Sequence, residues 1–242
     1  MKIEVLFPEI CNLYGDLFNV KYLKECLPDA EIINTGLNDE PTFLKEEVSL
    51  VYMGTTTERG QQLIIKKLSQ YIDEIKEAIE RGVAFLITGN GMEVFCNAIY
   101  EEDEKVCDGL AILDFQAKRK ARKRFNSLYL GEFDTGEKTL DIVGFKSLFG
   151  YVYGDNEKNA LFKTKRGVGL NPQTVGEGIR EGNFLATQIT GPLLVLNPTF
   201  TEWLGKEVMK VDNFTLAHRE AIIDAYEERV KEYSDPTTGI YY

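Results

Sequence analysis

The chain has 242 residues, of which 43% are hydrophobic, and a formal net charge of -11 at pH 7. This size and apolar content allow one large α/β domain or two small ones, with a core that needs no metal or crosslink. The negative charge argues against general binding of nucleic acid or of an anionic membrane. No stretch approaches the ~20 apolar residues that span a bilayer, and the first residues have the pattern of a strand. We expect a cytoplasmic protein without membrane insertion.

The first half of the chain predicts alternating strands and helices. Strands are expected at residues 2–7, 31–34, 50–53 and 83–87, and helices at 14–26, 60–81 and 92–99. The long helix is predicted because apolar residues recur at helical spacing, at Leu63, Ile64, Leu68, Ile72, Ile75 and Ile79. Such alternation predicts a parallel sheet covered by helices on both faces.

The second half predicts short strands separated by turn residues, at 111–115, 125–133, 140–145, 160–164 and 184–189. We expect the sheet to gain antiparallel strands here. Two helices, at 200–209 and 215–233, are expected to close a single domain that covers residues 1–233. A short polar tail, 234–242, follows.

One junction has the pattern of a nucleophile elbow. The buried strand that ends at Ile87 runs through Thr88-Gly89-Asn90-Gly91 into a predicted helix. A turn of this shape lifts the side chain at its tip above the carboxyl edge of a parallel sheet. Alone, the pattern is also compatible with an ordinary tight turn, and Gly89-Asn90-Gly91 lacks the third glycine of a dinucleotide-binding loop.

Two further segments carry a specific resemblance. Residues 8–20, PEICNLYGDLFNV, resemble the start of the cobyric-acid-synthase-like branch of the class I glutamine amidotransferases, a branch that includes the glutaminase subunit of lipid II isoglutaminyl synthase. Residues 54–61, GTTTERGQ, stand where that family has G-G-G-Q-D-R-E-Q, a loop whose first glycines let backbone N–H groups approach the substrate. Gly54, Arg59 and Gln61 match, and Glu58 is a conservative replacement.

A third segment extends the resemblance to about residue 205. Residues 177–194 match the family pattern E-G-x-x-x-x-N…T-Y-L-H-G-P-L-L, and Asn197-Pro198 follows. The resemblance implies a three-layer αβα, flavodoxin-like fold and a pocket for a glutamine-like small molecule. The ligand-binding positions that it implies are Gly54, Thr55, Arg59, Gln61, Asn90, Gly91, Glu93 and Gln188.

The two groups that hydrolyse glutamine in this family are missing from the sequence. The family attacks the amide with a cysteine thiolate that a histidine activates. In this chain the cysteine position falls on Gly89, or on Thr88 if the register shifts by one, and the histidine position falls on Thr190. The family motif G-F-E-N-H-x-G has also become GFKSLFG, at residues 144–150. No catalytic residue is therefore expected to be intact.

The four cysteines and the single histidine do not form a recognisable catalytic or metal-binding pattern. Cys11, Cys26, Cys96 and Cys107 show neither a C-x-x-C pair nor disulfide spacing, which fits ordinary thiols in a reducing compartment. His218 is interpreted as a surface or helix-packing residue. With one histidine, no clustered cysteines and no D-x-D-x-D-G loop, neither a metal nor another cofactor is expected.

Three hypotheses for the function remain open. The first is a binding or scaffold subunit without glutaminase activity, for which the resemblance implies an ATP-dependent partner of the Mur-ligase-like kind. The second is an enzyme with a reassigned site that uses Thr88, Glu93, Glu58 or Cys96. In the third, a partner supplies the missing imidazole.

A basic run interrupts the acidic sequence. Residues 118–124, KRKARKR, hold six basic residues in seven. Such a run usually marks a solvated edge. The alternative is a docking patch for an acidic partner surface or for a phosphate-bearing ligand. Because the run has no interleaved aromatic residues, stacking on nucleic acid is not expected.

Overall fold

A computed structural model describes residues 1–120 and 122–241. The strands are β1 (Lys2–Leu6), β2 (Glu31–Thr35), β3 (Leu50–Met53), β4 (Phe85–Ile87), β5 (Ala98–Glu101), β6 (Glu104–Asp108), β7 (Gln116–Arg119), β8 (Phe125–Asp134), β9 (Thr139–Leu148), β10 (Gly150–Tyr153), β11 (Phe162–Arg166), β12 (Gly176–Glu177), β13 (Ile179–Glu181) and β14 (Phe184–Ala186). The α-helices are α1 (Phe18–Cys26), α2 (Glu58–Leu68), α3 (Ile72–Glu80), α4 (Leu193–Leu196), α5 (Pro198–Trp203) and α6 (Arg219–Ser234).

The central sheet has six strands in the order β13-β14-β4-β3-β1-β2. Five of them are parallel, and β13 joins the edge antiparallel to β14. The carboxyl ends of β1, β3, β4 and β14 therefore lie at the same edge of the sheet. The loops that follow these four strands meet there, where open α/β sheets usually bind ligands.

Both faces of the central sheet are buried. Successive side chains of a strand point to opposite faces, so neighbouring residues belong to different hydrophobic clusters. Tyr52 and Leu86 belong to one hydrophobic cluster, with α1, α5 and a four-stranded sheet of order β12-β11-β8-β9. Met53 and Ile87 belong to the other, with α2, α3 and a second four-stranded sheet of order β10-β7-β5-β6. The predicted α/β class, with a mostly parallel central sheet and helices on both faces, is confirmed.

The antiparallel strands are arranged differently from the prediction. Apart from β13, they do not extend the central sheet but form the two separate sheets on its faces. In one of these sheets the pairing is mixed, since β5 is parallel to β7 and antiparallel to β6.

Two of the predicted elements are wrong for the same reason. In place of a helix at 92–99, the chain forms a 3-10 helix at Gly89–Phe95 and then β5. In place of a strand at 111–115, it forms a bent loop. The N–H groups of Leu110 and Leu113 donate to the carbonyls of Val94 and Phe95 at 2.9 and 2.8 Å. The N–H groups of residues 110–113 thus bond to the carbonyls that a helix at 92–99 would need. For this reason the helix does not form, and residues 111–115 do not pair as a strand.

The predicted helix at 60–81 is broken in the middle by a 3-10 turn at Ser69–Tyr71. The Ser69 hydroxyl donates to the carbonyl of Lys66 at 3.1 Å, and the Gln70 amide donates to that of Lys67 at 2.9 Å. Polar side chains that bond to backbone carbonyls compete with the helical pattern. Periodicity alone did not predict this interruption.

The segment that follows α6 is anchored, which the prediction of a polar tail did not include. Ile240 is 8% exposed, and its carbonyl accepts from the Leu128 N–H of β8 at 2.8 Å. The Arg166 guanidinium donates to the carbonyls of Asp235 at 2.6 Å and Thr238 at 2.9 Å. These bonds hold the segment against the β8-β9 sheet.

Candidate functional site

A buried carboxylate joins the loops at the carboxyl edge of the central sheet. Asp16 is 0% exposed, and its Oδ2 accepts from the Thr55 N–H at 2.6 Å, the Thr55 hydroxyl at 2.5 Å and the Thr88 hydroxyl at 2.9 Å. Burial raises the pKa of Asp16, although the hydrogen bonds from Thr55 and Thr88 oppose that rise. One side chain thus ties together the loops that follow β1, β3 and β4.

Gly89 lies at the tip of the turn after β4. Its φ of +59° is in the left-handed region, which favours glycine. A Cβ on Gly89 would overlap the hydroxyl oxygen of Thr55 and would lie 3.0 Å from the Cβ of Thr55. The space into which a side chain at position 89 would project is therefore filled by Thr55.

The backbone N–H groups of the loop after β3 are used within the protein. The Thr55 N–H donates to Asp16, and the Thr56 N–H donates to the Asn90 side-chain oxygen at 3.0 Å. The Asn90 side-chain nitrogen donates in return to the Thr56 carbonyl at 2.8 Å. Gly91 allows the two loops to approach closely, since a Cβ there would lie 2.9 Å from the carbonyl oxygen of Gly54. Neither of these two N–H groups points at a free position.

A buried polar group forms the floor beside this loop. The Glu93 carboxylate accepts from the Arg119 Nε at 3.2 Å and from the Gln61 side-chain nitrogen at 3.0 Å. Arg119 also donates to the Gln61 side-chain oxygen at 2.5 Å. Glu93 and Arg119 are 3% and 6% exposed. Burial raises the pKa of Glu93, and the charge of Arg119 opposes this rise without cancelling it.

A cavity of about 90 Å³ lies above these groups. Thr55, Glu58, Asn90, Glu93 and Arg119 line its floor and wall, and Leu13, Tyr14, Thr56, Thr57, Arg124, Ser147, Leu148 and Phe149 complete its lining. It is smaller than the ~300–1,000 Å³ of most small-molecule sites.

The rim of this cavity is held by Arg124. Its guanidinium donates to the Ser147 hydroxyl at 3.1 Å and to the Tyr14 hydroxyl, and it stands 4.4 Å from the centre of the Phe149 ring. Tyr14 is exposed, and Ser147 also donates to the Asn126 side-chain oxygen at 2.8 Å. The rim therefore combines residues that are distant in sequence.

Three of the eight predicted ligand-binding residues line the cavity: Thr55, Asn90 and Glu93. The other five do not: Gly54, Arg59, Gln61, Gly91 and Gln188. Arg59 is exposed in the first turn of α2. Gln188 is fully buried, and its backbone N–H donates to the Glu177 carboxylate at 2.8 Å. Within the described residues, neither side-chain amide atom of Gln188 has a hydrogen-bond partner.

Thr190 is also fully buried, next to the turn at Gly89. Its N–H and its hydroxyl both donate to the carbonyl of Phe145, each at 2.8 Å. The Gly89 N–H donates to the carbonyl of Ile189, the residue before Thr190, at 3.1 Å. The segments that carry Gly89 and Thr190 are therefore neighbours, and the hydroxyl of Thr190 is turned to the backbone.

Comparison with known proteins decides the family. The model of the CobB/CobQ-like glutamine amidotransferase domain matches residues 2–196. The chain belongs to this family. It is 30% identical over 195 residues to the lipid II isoglutaminyl synthase (glutamine-hydrolyzing) subunit GatD of Staphylococcus aureus (strain N315), covering 80% of this chain and 78% of that protein.

A second relative supports the family, and a solved structure supports the fold. The subunit GatD of Streptococcus pneumoniae (strain ATCC BAA-255 / R6) is 24% identical over 245 residues, covering 97% of this chain and 91% of that protein. A glutamine amidotransferase from Thermotoga maritima has a similar fold, with a TM-score of 0.51 at 13% identity, covering 96% of this chain and 92% of that one. The expected class I glutamine amidotransferase fold is confirmed.

Neither Cys96 nor His218 lines the site cavity. Cys96 is fully buried, its sulfur lies 3.7 Å from the Met92 carbonyl oxygen, and burial raises the pKa of its thiol, which keeps it unreactive. His218 is exposed before α6, with its Nε2 3.1 Å from a carboxylate oxygen of Glu25. The interpretation of His218 as a surface residue is confirmed.

Three charged residues of the site were not predicted: Asp16, Arg119 and Arg124. Asp16 stands within the opening segment that resembles the amidotransferases, but nothing in the sequence shows that it meets Thr55. Arg119 and Arg124 belong to the basic run, and the interpretation of the run as a solvated edge is wrong for Arg119, which is buried against Glu93. Ala121, in the middle of the run, lies outside the described residues.

No helix of the described chain is both long enough and apolar enough to cross a bilayer.

Proposed function

We propose that this chain is a glutamine amidotransferase-family protein without glutaminase activity, which acts as a binding or scaffold subunit for an amide-ligase-type partner. The observation that carries the proposal is the contact between Gly89 and Thr55. The tip of the turn has no side chain, and the hydroxyl of Thr55 takes the space above it.

The resemblance in sequence relates this contact to the family's catalytic positions. In the register that the motif favours, Gly89 falls on the family's cysteine, whereas a shift of one residue would place Thr88 there; Thr55 falls where the family's loop has its second glycine. The two replacements are complementary in space. Position 89 has a smaller residue than the family's cysteine, and position 55 has a larger residue than the family's glycine. A cysteine at position 89 would overlap Thr55 in the observed conformation.

Two further features support the loss of glutaminase activity. Acyl transfer from an amide needs backbone or side-chain donors that stabilise the oxyanion, but the N–H groups of Thr55 and Thr56 already bond to Asp16 and Asn90. It also needs a base beside the nucleophile, and the hydroxyl of Thr190 donates to a backbone carbonyl. They also weigh against a base supplied by a partner, since neither Thr88 nor Cys96 lines the cavity that such a base would enter.

The reassigned enzyme is the less favoured hypothesis. The Thr88 hydroxyl is fully buried between Asp16 and Tyr52 and does not line the cavity, and neither does Cys96. Glu58 and Glu93 do line it. Glu93, however, is engaged by Arg119 and Gln61, which leaves Glu58 as the freer of the two carboxylates.

Glutamine hydrolysis is tested directly with the purified chain, alone and mixed with its partner. Ammonia release from glutamine is measured, and a diazoketone analogue of glutamine is added before the mass of the intact chain is determined. We expect no ammonia above the background and no increase in mass, while an active relative treated in parallel shows both. A stoichiometric adduct, or turnover that grows with the amount of this chain, would refute the loss of activity.

The partner is proposed from the relatives. Both GatD proteins are named as subunits of a lipid II isoglutaminyl synthase, and by this likeness we propose an ATP-dependent partner of the Mur-ligase-like kind. Co-expression of a tagged Mur-ligase-like protein from the same genome should yield a stable complex with this chain. Migration of the two proteins as separate species in gel filtration would argue against the scaffold role.

A further inference from the structure

A groove beside the site cavity combines basic and aromatic side chains. It is a cavity of about 420 Å³ between the basic run and β10. Its exposed basic residues are Lys118, Lys120, Lys123 and Arg124, its buried basic residue is Arg119, and its aromatic residues are Phe125, Phe149, Tyr151 and Tyr153. We refer to this cavity, with its four exposed cations and four aromatic residues, as the basic aromatic groove. It shares Arg119, Arg124 and Phe149 with the smaller site cavity.

Strand pairing brings the aromatic rings to the cations. β10 pairs antiparallel with β7, so that Tyr151 is opposite Lys118 and Tyr153 is opposite Gln116. The Lys118 ammonium stands 5.4 Å from the centre of the Tyr153 ring, and the rings of Phe125 and Tyr151 are 5.4 Å apart. The aromatic residues that the basic run lacks in sequence are thus supplied by its neighbouring strand.

The positive charge of the groove is not neutralised within the described chain. Lys118, Lys120, Lys123 and Arg124 are exposed, and no described carboxylate forms an ion pair with them. Two carboxylates, on Glu102 and Asp103, line the same cavity, which leaves an excess of positive charge. In a chain of net charge -11 this local excess is unusual, and it creates a potential that attracts an anion.

The aromatic residues restrict the kind of anion. Four aromatic side chains line the groove, and Lys118 and Arg124 already stand over the rings of Tyr153 and Phe149. Aromatic side chains can also stack with the flat ring of a ligand. The volume of about 420 Å³ lies within the usual range of small-molecule sites. A ligand that satisfies both features has a planar ring at one end and several negative charges at the other.

We propose that the basic aromatic groove binds a phosphorylated small molecule with a planar base, of the class of a nucleoside diphosphate or triphosphate. The phosphates would contact Lys120, Lys123 and Arg124, and the base would pack against Tyr151 and Tyr153. A long nucleic acid is disfavoured because the negative field of the whole chain repels a polyanion. The groove adjoins the site cavity, with which it shares Arg119, Arg124 and Phe149.

Calorimetric titration of the purified chain with ADP tests the groove, with adenosine and pyrophosphate as the two half-ligands. We expect ADP to bind on the order of 10-fold more tightly than either half, since ring and phosphates contribute together. Added salt should weaken the binding of ADP and of pyrophosphate, but not that of adenosine. Equal affinity for ADP and pyrophosphate, or no saturation at millimolar ADP, would overturn the proposal.

Variants locate the binding. The double variant Lys120→Ala/Lys123→Ala removes two exposed cations of the groove, and Lys76→Ala/Lys158→Ala removes two exposed cations elsewhere. We expect the first to weaken ADP binding on the order of 10-fold and the second to leave it unchanged. Tyr151→Phe should keep the affinity, and Tyr151→Leu should reduce it.

Three outcomes would contradict a nucleotide site in the groove. The first is an equal loss of affinity in both double variants, which would indicate a general charge effect. The second is unchanged binding in Lys120→Ala/Lys123→Ala. The third is displacement of ADP by an acidic peptide that binds more tightly, which would make the groove a protein-docking surface instead.

Discussion

Thr55 and Gly89 share one space: a Cβ on Gly89 would overlap the hydroxyl oxygen of Thr55 and lie 3.0 Å from its Cβ. Thr55 follows β3 and Gly89 follows β4, so the contact joins two neighbouring strands of the central sheet. The arrangement makes the two positions energetically dependent on each other, which mutation can measure.

The first prediction concerns this dependence. Gly89→Cys should lower the free energy of unfolding by about 2–4 kcal/mol, since it adds steric overlap to a left-handed backbone conformation. Thr55→Gly should remove the overlap, so the double variant Thr55→Gly/Gly89→Cys should lose less than the sum of the two single losses. Urea unfolding of the four proteins measures the coupling.

Gly182→Cys is the control for this series. Gly182 has a φ of +58°, nearly that of Gly89, but nothing lies within 4 Å of the position of a Cβ there. It should show only the backbone cost of about 1–2 kcal/mol. Strictly additive effects at positions 55 and 89, or an equal cost at 89 and 182, would show that the overlap is relieved at no cost in the free energy of unfolding.

The second prediction concerns pH. Burial raises the pKa of Asp16 above its ordinary 3.8. In the window from 3.8 to the raised value, the unfolded chain has lost this proton and the folded chain has kept it. The contribution of Asp16 to the free energy of unfolding therefore falls as the pH rises.

Asp16→Asn isolates this contribution, because an amide keeps one oxygen for the Thr55 and Thr88 donors but does not titrate. The stability of the wild type minus that of the variant should be larger at about pH 5 than at about pH 8. Chemical unfolding at the two pH values gives the difference. A difference that is constant, or that grows toward the higher pH, would mean that the Asp16 pKa is not raised.

The third prediction concerns the buried pair at the floor of the site. Arg119→Met leaves Glu93 buried without its cation and should cost about 3–5 kcal/mol. Adding Glu93→Gln removes the uncompensated charge, so the double variant should be more stable than Arg119→Met alone. Lys120→Met, an exposed neighbour, should change stability by no more than about 0.5 kcal/mol. Equal costs at positions 119 and 120 would argue against the buried pair.

The fourth prediction concerns the anchored C-terminal segment. Arg166→Met removes the guanidinium that donates to the carbonyls of Asp235 and Thr238. Amide hydrogen exchange at residues 235–241 should accelerate, with little change in the central sheet, because local opening needs only these contacts to be lost. Lys163→Met, an exposed change on the same strand, serves as the control. Unchanged exchange in Arg166→Met would show that other contacts hold the segment.

The five parallel strands of the central sheet were predicted from sequence, for a local reason, whereas the antiparallel edge strand β13 was not. Residues 50–53 and 85–87 are apolar runs, and the turn after Ile87 is marked by Gly89 and Gly91. A strand buried on both faces needs such a run whatever the rest of the chain does. The resemblance of short motifs then brought Gly54, Asn90 and Glu93 to the same edge of the sheet, where the structure places them.

The rest of the site depends on contacts between distant segments. The Asp16 carboxylate meets the Thr88 hydroxyl across a separation of 72 residues, and Arg119 meets Gln61 across 58. Neither pair leaves a periodic signal. The same limit explains the failed helix at 92–99, where bonds from residues 110–113 overrode the local preference. Sequence indicated which groups are absent, and the structure was needed to show that Thr55 fills the gap.

The clamp between Asn90 and Thr56 affects how a partner would meet this edge of the sheet. Its two hydrogen bonds, with those that Asp16 accepts, fix the loops without help from any bound molecule. The entropy lost in ordering these loops is then part of folding and not of association. A second subunit that contacts this edge would meet a rigid template, so its affinity should depend on shape complementarity more than on induced ordering.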